Sequence, residues 1–408
     1  MKLHTQIFLA MGLGVVAGAV LGERVQSISF LGEIFILLLK MIIAPLILAS
    51  IVTGVAGVGD VSRLGKLGVK TVLYYGVTTW TAIIIGLVLV NILKPGTGVE
   101  TTLINVADEA VGAGVIARSP GEFFHEQLRT VIQNPFAALA NGQVMAIIFF
   151  SLLLGGVLAT LGEKAAAVTS FFAGFNEAMM KITGWIMKLA PVGVFALIAG
   201  VVASGGFDIL KLLGKYVLTV MLGLTIHTAL LLTIFLRAIG KMEVRNFLVG
   251  MRSALAIAFS TASSSSTLPV TMECATDNLK VSSRTASLVL PLGATINMDG
   301  TALYESVAAI FIAQVYGIEL GLGAQAIVFV TATLAAVGAA GIPSAGLVTM
   351  AIVLTAVGLP LEGAAIVLGV DRLLDMFRTA VNVLGDSVGA VVIARSEGET
   401  FEGKGVVE

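Results

Sequence analysis

Charge is what this chain has least of. Only 12% of its 408 residues are Asp, Glu, Lys or Arg, against 57% hydrophobic, and the mean hydropathy is +1.02. Soluble domains average about 25% charged residues, so an ordinary soluble protein is excluded and the chain reads as an integral membrane protein. Cysteine is nearly absent as well. Cys274 stands alone, which excludes an internal disulfide framework and a cysteine metal cluster. The formal net charge of −1 carries no signal for nucleic acid, and no nucleic-acid partner is expected. The first apolar segment follows Lys2 and His4 without a small-residue cleavage site, so it is expected to stay as a membrane span. The run Ser263-Ser264-Ser265-Ser266 lacks a Gly-x-Ser-x-Gly elbow and a placed histidine base, which argues against an intramembrane hydrolase. No enzyme activity is expected.

What is present is a series of apolar runs, over 6–22, 28–57, 66–93, 137–161, 168–203 and 209–238. Several exceed the roughly 20 residues needed to cross hydrocarbon, which predicts tilted or bent helices. The segment 96–135, with Glu100, Asp108, Glu109 and Glu122, reads as a polar external loop. Basic residues gather at Arg63, Lys66 and Lys70, at Lys164, at Arg237, Lys241 and Arg245, and at Lys280 and Arg284. The positive-inside tendency makes those connections cytoplasmic, and the N-terminus with them. Glycines and other small residues in 12–22 are spaced for helix packing. His227, inside an apolar span, reads as a packed neutral histidine rather than a proton relay.

The second half is less regular. Residues 243–275 are apolar on both flanks of Ser263–Pro269, and 325–356 repeat that plan around Gly338–Gly346. Each reads as a re-entrant hairpin with a nonhelical tip, since irregular backbone at membrane depth is tolerated only where it is buried or lines a cavity. Between them, Gly293-Ala294-Thr295-Ile296-Asn297-Met298-Asp299-Gly300-Thr301 places polar side chains at every second position from Thr295, the wrong period for a helix face. Because Gly300 also weakens a helix, 296–300 is expected to be unwound, with Asn297, Asp299 and main-chain carbonyls forming a hard-oxygen cage. Glu305 falls on the helix that resumes.

The strongest functional signal lies between Val370 and Asp386. Asp371, Asp375, Arg378, Thr379, Asn382 and Asp386 recur mostly three or four apart inside an apolar stretch, on or near one helical stripe. Each central charge costs roughly 2.5–3.5 kcal/mol on insertion scales, so that stripe must face protein, ions or water. With Asp299 and Glu305 it brings five carboxylates to Arg372 and Arg378, an excess that requires bound cations or protons. Cation coupling is therefore expected. A pure ion channel is the rival reading; it has no need of Arg378 beside Asp375.

Four motifs in this order carry a resemblance: the serine-rich tip, Asn-Met-Asp-Gly-Thr, the Gly-Ile-Pro tip, and Asp-Met-Phe-Arg-Thr-Ala-Val-Asn-Val-Leu-Gly-Asp. Together they resemble the glutamate transporter family of dicarboxylate and amino acid:cation symporters, over essentially the whole chain. The resemblance implies an all-α membrane protein of eight transmembrane helices and two re-entrant hairpins, with inverted repeats. It also implies a homotrimer in the cell membrane with cytoplasmic termini, and an elevator motion of a transport domain against a scaffold. On that plan residues 1–65 hold scaffold helices 1–2, 66–95 transport-domain helix 3, 96–136 the external loop, 137–207 scaffold helices 4–5, and 208–408 the transport core.

By the same resemblance, Asp375 meets the substrate ammonium, while Asn382, Thr379 and the Ser264 amide meet its α-carboxylate. Arg378 selects an acidic side chain, assisted by Thr301 and the backbone from Ile342 to Gly346. Three sodium sites are implied. The first takes Gly293, Asn297, Asn382 and Asp386; the second takes carbonyls of Thr295, Ala336, Val337 and Ala339; the third takes Tyr75, Thr78, Thr79, Asn297 and Asp299.

Within the family, Arg378 argues against neutral amino acid exchangers and Asp375 against carriers of C4-dicarboxylates, whose substrates have no ammonium. Asp386 and the Asn-Met-Asp-Gly-Thr form resemble sodium-coupled members, and proton-coupled C4-dicarboxylate or glutamate symport is the alternative. Glu305 matches the proton-carrying glutamate of animal members, which leaves proton cotransport and potassium countertransport open. One departure stands out. Relatives place a further arginine beside the site, where this chain has Ala262 or Met376.

Overall fold

The structure, a computed structural model, describes residues 3–57, 61–97, 131–205, 208–338 and 345–401. Every regular element among them is helical. The first half comprises α1 (Leu3–Leu21), α2 (Ser29–Gly57), α3 (Val61–Leu93), the short α4 (Pro135–Ala140), α5 (Val144–Leu161), α6 (Ala166–Met187) and α7 (Ala190–Gly205). The second half comprises α8 (Asp208–Leu230), continued by a π-helical segment Leu231–Ile239, then α9 (Val244–Thr261), α10 (Ser264–Glu273), α11 (Ser283–Ile296), α12 (Asp299–Val315), α13 (Leu322–Gly338), α14 (Ala345–Ala356) and α15 (Ala364–Ser396).

The apolar run 168–203 is not one bent helix but two, α6 and α7. Pro191 has no amide hydrogen to bond residue 187, so the chain closes α6 with tight turns, Lys188 N–H to the Trp185 carbonyl and Leu189 N–H to Ile186. Pro191 then sits in the first turn of α7, where proline is tolerated. This break lets α7 pack along α1. A Cβ on Gly14 would lie 2.8 Å from the Phe195 carbonyl oxygen, and one on Gly18 2.5 Å from that of Ala199. The small residues of 12–22 therefore allow backbone-to-backbone approach, as their spacing predicts.

The molecule is apolar outside as well as inside. Leu9, Leu13, Val16 and Val20 on α1, and Leu73, Val77, Trp80, Ile84 and Val88 on α3, form exposed stripes at helical spacing. Such continuous apolar faces suit hydrocarbon rather than water. In α3, 33% of the apolar span is buried, in α15 83%, so α15 is an interior helix. α12 is buried at every residue but Gln314 and is surrounded by α3, α8, α13, α14 and α15.

Two breaks are narrower than expected. α9 and α10 fold back on one another, with Asn278 donating to the Gly250 carbonyl at 2.8 Å and only Ala262 and Ser263 between them. Ala262 takes a left-handed φ of 52°, and the Ser263 hydroxyl accepts from the Ser266 amide at 3.2 Å as an N-cap. The serine run is thus the first turn of α10, not a nonhelical tip. Likewise the break between α11 and α12 is Asn297 and Met298 alone, and Gly300 lies within α12. Gly300 serves close approach instead: a Cβ there would sit 2.8 Å from the Arg378 carbonyl oxygen on α15. The hairpin tip at 339–344 and most of the 96–135 loop lie outside the described residues.

Candidate functional site

α15 carries the polar ladder as its spacing predicts. Asp371, Asp375, Arg378, Thr379, Asn382 and Asp386 are each at most 5% exposed, and they face α12 and the helix breaks around it. Arg378 is completely buried. Its Nη2 lies 2.9 Å from Asp371 Oδ1 and 3.0 Å from Asp375 Oδ1, and its guanidinium carbon sits 3.7 Å above the Tyr304 ring. Nε and Nη1 make no hydrogen bond among the described residues. Nη2 is therefore neutralised by two carboxylates, while Nε and Nη1, on different edges of the plane, are left as buried donors that call for acceptors. Gly346, at the start of α14, faces the same group: a Cβ there would be 3.0 Å from Nη2 and 3.1 Å from Nη1.

Asn382 links this cluster to the helix break. Its Oδ1 accepts from the Gly300 amide at 2.8 Å, and its Nδ2 donates to the Thr301 hydroxyl at 3.4 Å. One turn on, Asp386 Oδ1 accepts from Asn297 Nδ2 at 2.9 Å. Gly293 has no room for a side chain, since a Cβ would lie 2.5 Å from the Tyr75 hydroxyl and run into the Asp386 carboxylate. The break and α3 then close a second cluster. The Thr79 hydroxyl donates to Asp299 Oδ1 at 2.8 Å, and the Thr78 hydroxyl lies 3.3 Å from both Asp299 Oδ1 and Asn297 Oδ1. Tyr75 donates to the Val289 carbonyl at 2.7 Å, and its own carbonyl accepts from Thr78 at 3.2 Å. Hydroxyl, amide and carboxylate oxygens converge here, a donor set suited to a hard cation.

The remaining sequence-predicted residues fall out less evenly. Ser264 is buried in the first turn of α10. Glu305 is buried on α12 with the Thr349 hydroxyl of α14 as its polar neighbour. Thr295 turns its side chain outward onto the Pro291 and Leu292 carbonyls. Ala336 and Val337 end α13, which meets α11, but the Val337 carbonyl lies against Gly54 of α2. Ala339 and Ile342 lie outside the described residues, so the second cation set is only partly assembled among those described.

Two residues outside the expected ligand sets join the site. Arg372, one position off the stripe, reaches Asp375 Oδ2 at 3.4 Å and the Thr261 carbonyl at 3.5 Å, beside the position where relatives' further arginine is missing. His227 of α8 places Nε2 3.1 Å from Asp299 Oδ2. Its rarity as an ionisable group in an apolar span was the signal available for it.

The match to known proteins runs over nearly the whole chain. The model of the sodium:dicarboxylate symporter family matches residues 3–396. The chain belongs to that family. It is 38% identical over 407 residues to a proton/sodium-glutamate symport protein of Geobacillus stearothermophilus, covering 98% of this chain and 96% of that one. It is 39% identical over 409 residues to a proton/glutamate-aspartate symporter of Escherichia coli (strain K12), covering 97% and 93%. It is 37% identical over 447 residues to excitatory amino acid transporter 3 of Homo sapiens, covering 96% and 85%. This family member thus matches bacterial and animal relatives alike over nearly its whole length.

Proposed function

We propose that this chain is a secondary active transporter that carries aspartate or glutamate across the cell membrane together with sodium. The observation that carries the reading is Arg378, buried with two unpaired donors beside two carboxylates. A dicarboxylic amino acid supplies both a carboxylate acceptor for those donors and an ammonium for Asp375. Asn382, Thr379 and the Ser264 amide take the α-carboxylate, while Thr301 and the main chain from Ile342 to Gly346 close over the side chain. The printed names of the relatives support the same substrate class.

Sodium would be held at Gly293, Asn297, Asn382 and Asp386, at Tyr75, Thr78, Thr79, Asn297 and Asp299, and at carbonyls of Thr295, Ala336, Val337 and Ala339. Bound cations neutralise Asp299 and Asp386, whose burial beside each other disfavours two uncompensated charges. Substrate binding and cation binding are coupled through Asn382, which touches the Gly300 amide, the Thr301 hydroxyl and the cation-facing break. Glu305 is the residue for a cotransported proton.

Four spans among the described residues are long and apolar enough to cross a membrane. With the shorter and interrupted helices, and α6–α7 taken as one span broken at Pro191, the arrangement is eight transmembrane helices and two re-entrant hairpins, α9–α10 and α13–α14. α1, α2, α5, α6 and α7 form the scaffold, and the rest of the second half, with α3, the moving domain. Packing of α13 and α14 on α2 and α5 supplies the surface along which an elevator motion slides. The exposed apolar faces face lipid and the other subunits of a homotrimer, with both termini cytoplasmic.

The test is uptake of radiolabelled L-aspartate and L-glutamate into proteoliposomes under an inward sodium gradient, with succinate and serine as competitors. Sodium-dependent accumulation blocked by neither competitor is expected. Uptake driven by a proton gradient without sodium, or strong inhibition by succinate, overturns the reading.

A further inference from the structure

We propose that His227 is a positioning residue for the cation cage, holding Asp299 so that one carboxylate oxygen faces the oxygens of Thr78, Thr79 and Asn297. This rests on the reading of Asp299 as a cation ligand. The buried stripe of α8 and its π-helical continuation runs Val220, Leu224, His227, Leu231, all within 3% of complete burial. An imidazole therefore occupies a place where packing alone asks for an aliphatic side chain. Its Nε2 lies 3.1 Å from Asp299 Oδ2, while Nδ1 has no partner among the described residues. Because the carboxylate accepts, the hydrogen is on Nε2. A nitrogen left bare in the interior is unfavourable, so the contact at Nε2 is what offsets that cost.

The two oxygens of Asp299 have different surroundings. Oδ1 receives Thr79 at 2.8 Å and Thr78 at 3.3 Å, on the side of Asn297. Oδ2 is closed in by the imidazole and by Gly385 of α15, where a Cβ would stand 3.2 Å away. The donor on Oδ2 fixes the carboxylate plane, and α15 blocks its rotation on the other side. Asp299 begins α12 directly after the break, where the backbone gives its side chain little support. The imidazole supplies that support from a third helix, in the way an outer partner orients a ligand in other metal sites. One turn beyond His227 the helix widens into the π-helical segment Leu231–Ile239, a local geometry frequent at functional sites.

The experiment measures the sodium-dependent rise in thermal unfolding temperature of the purified full-length protein in detergent, titrated against choline without amino acid. Three variants accompany the wild type: His227→Ala, His227→Gln, whose amide nitrogen reaches the place of Nε2, and Asp299→Asn. Loss of an outer partner lowers metal affinity by about 10–100-fold. His227→Ala is therefore expected to raise the half-saturating sodium concentration about tenfold or more, with His227→Gln recovering most of it. If His227→Ala titrates like the wild type, or if Ala and Gln are equally impaired, the positioning role is overturned. If Asp299→Asn keeps the wild-type sodium response, the cation reading of Asp299 fails instead, independently of His227.

Discussion

Arg378 and Tyr304 stack at the centre of the molecule, the guanidinium carbon 3.7 Å from the ring centroid and both side chains fully buried. The ring covers one face of the cation, Asp371 and Asp375 hold one nitrogen, and Gly346 lies so close to Nη1 and Nη2 that only a glycine fits without pressing on them. A planar fork fixed on three sides discriminates by shape as well as charge. Arg378→Cys is predicted to abolish aspartate uptake and to admit neutral amino acids. Competition assays with serine and alanine read this directly, and unchanged aspartate transport would remove Arg378 from the site.

The same geometry assigns a cost to any side chain at position 346. A Cβ would press on Nη2 and Nη1 at 3.0 and 3.1 Å, in the space through which a carboxylate approaches them. Gly346→Ala is expected to weaken aspartate binding by about tenfold, the loss of one good contact, with little change in protein stability. Isothermal titration with aspartate at saturating sodium checks the first part and thermal unfolding the second; wild-type affinity would contradict it.

Glu305 sits one residue from Tyr304 on the same buried helix, with Thr349 of α14 as its polar neighbour. Glu305→Gln preserves shape and removes only the proton, so sodium-driven exchange should persist while the dependence of net uptake on pH flattens. An identical pH profile would show that Glu305 carries no proton.

How much of this was legible in the sequence follows from which periodicity each residue obeys. The α15 ladder was readable because a single uninterrupted helix converts spacing into a face. The Gly14 and Gly18 contacts were readable for the same reason. Helix breaks were not, since their extent is set by partners distant in sequence. Gly300 looked like a helix weakener, yet its freedom is used by Arg378's main chain on α15, and its amide is capped by Asn382. The serine run looked nonhelical, yet Ser263 caps the helix that the others begin. His227 shows no local pattern, because its partner Asp299 is 72 residues away on another helix.

Gly18 provides a test of the α1–α7 contact that is independent of any ligand. A Cβ there would meet the Ala199 carbonyl oxygen at 2.5 Å and Val202 Cβ at 2.9 Å, one of them backbone that cannot swing aside. Gly18→Val is predicted to destabilise the protein by roughly 1–3 kcal/mol, the range for overpacking. Gly12→Ala, where nothing lies within 4 Å, should be neutral or slightly stabilising. Thermal unfolding of both variants in one detergent reads the difference, and equal melting temperatures would refute the close approach.

Glu399 ties the end of the described chain to α11. Its Oε2 accepts from the Ser282 amide at 2.9 Å, and its Oε1 from the hydroxyls of Ser282 at 2.6 Å and Thr285 at 2.8 Å. Partial burial pushes its carboxyl upward, but those hydrogen bonds outweigh it and hold the group below the usual glutamate range. A carboxyl depressed in the folded state stabilises fully above its unfolded value, about 4.3. That contribution is lost as pH falls through the folded value. Glu399→Gln should therefore lower the stability at pH 7 by about 1 kcal/mol, kept small by solvent screening. The difference from wild type should shrink steadily as pH drops below about 4. Thermal unfolding between pH 3 and 7 measures it, and a pH-independent difference would mean that Glu399 acts through packing rather than through its charge.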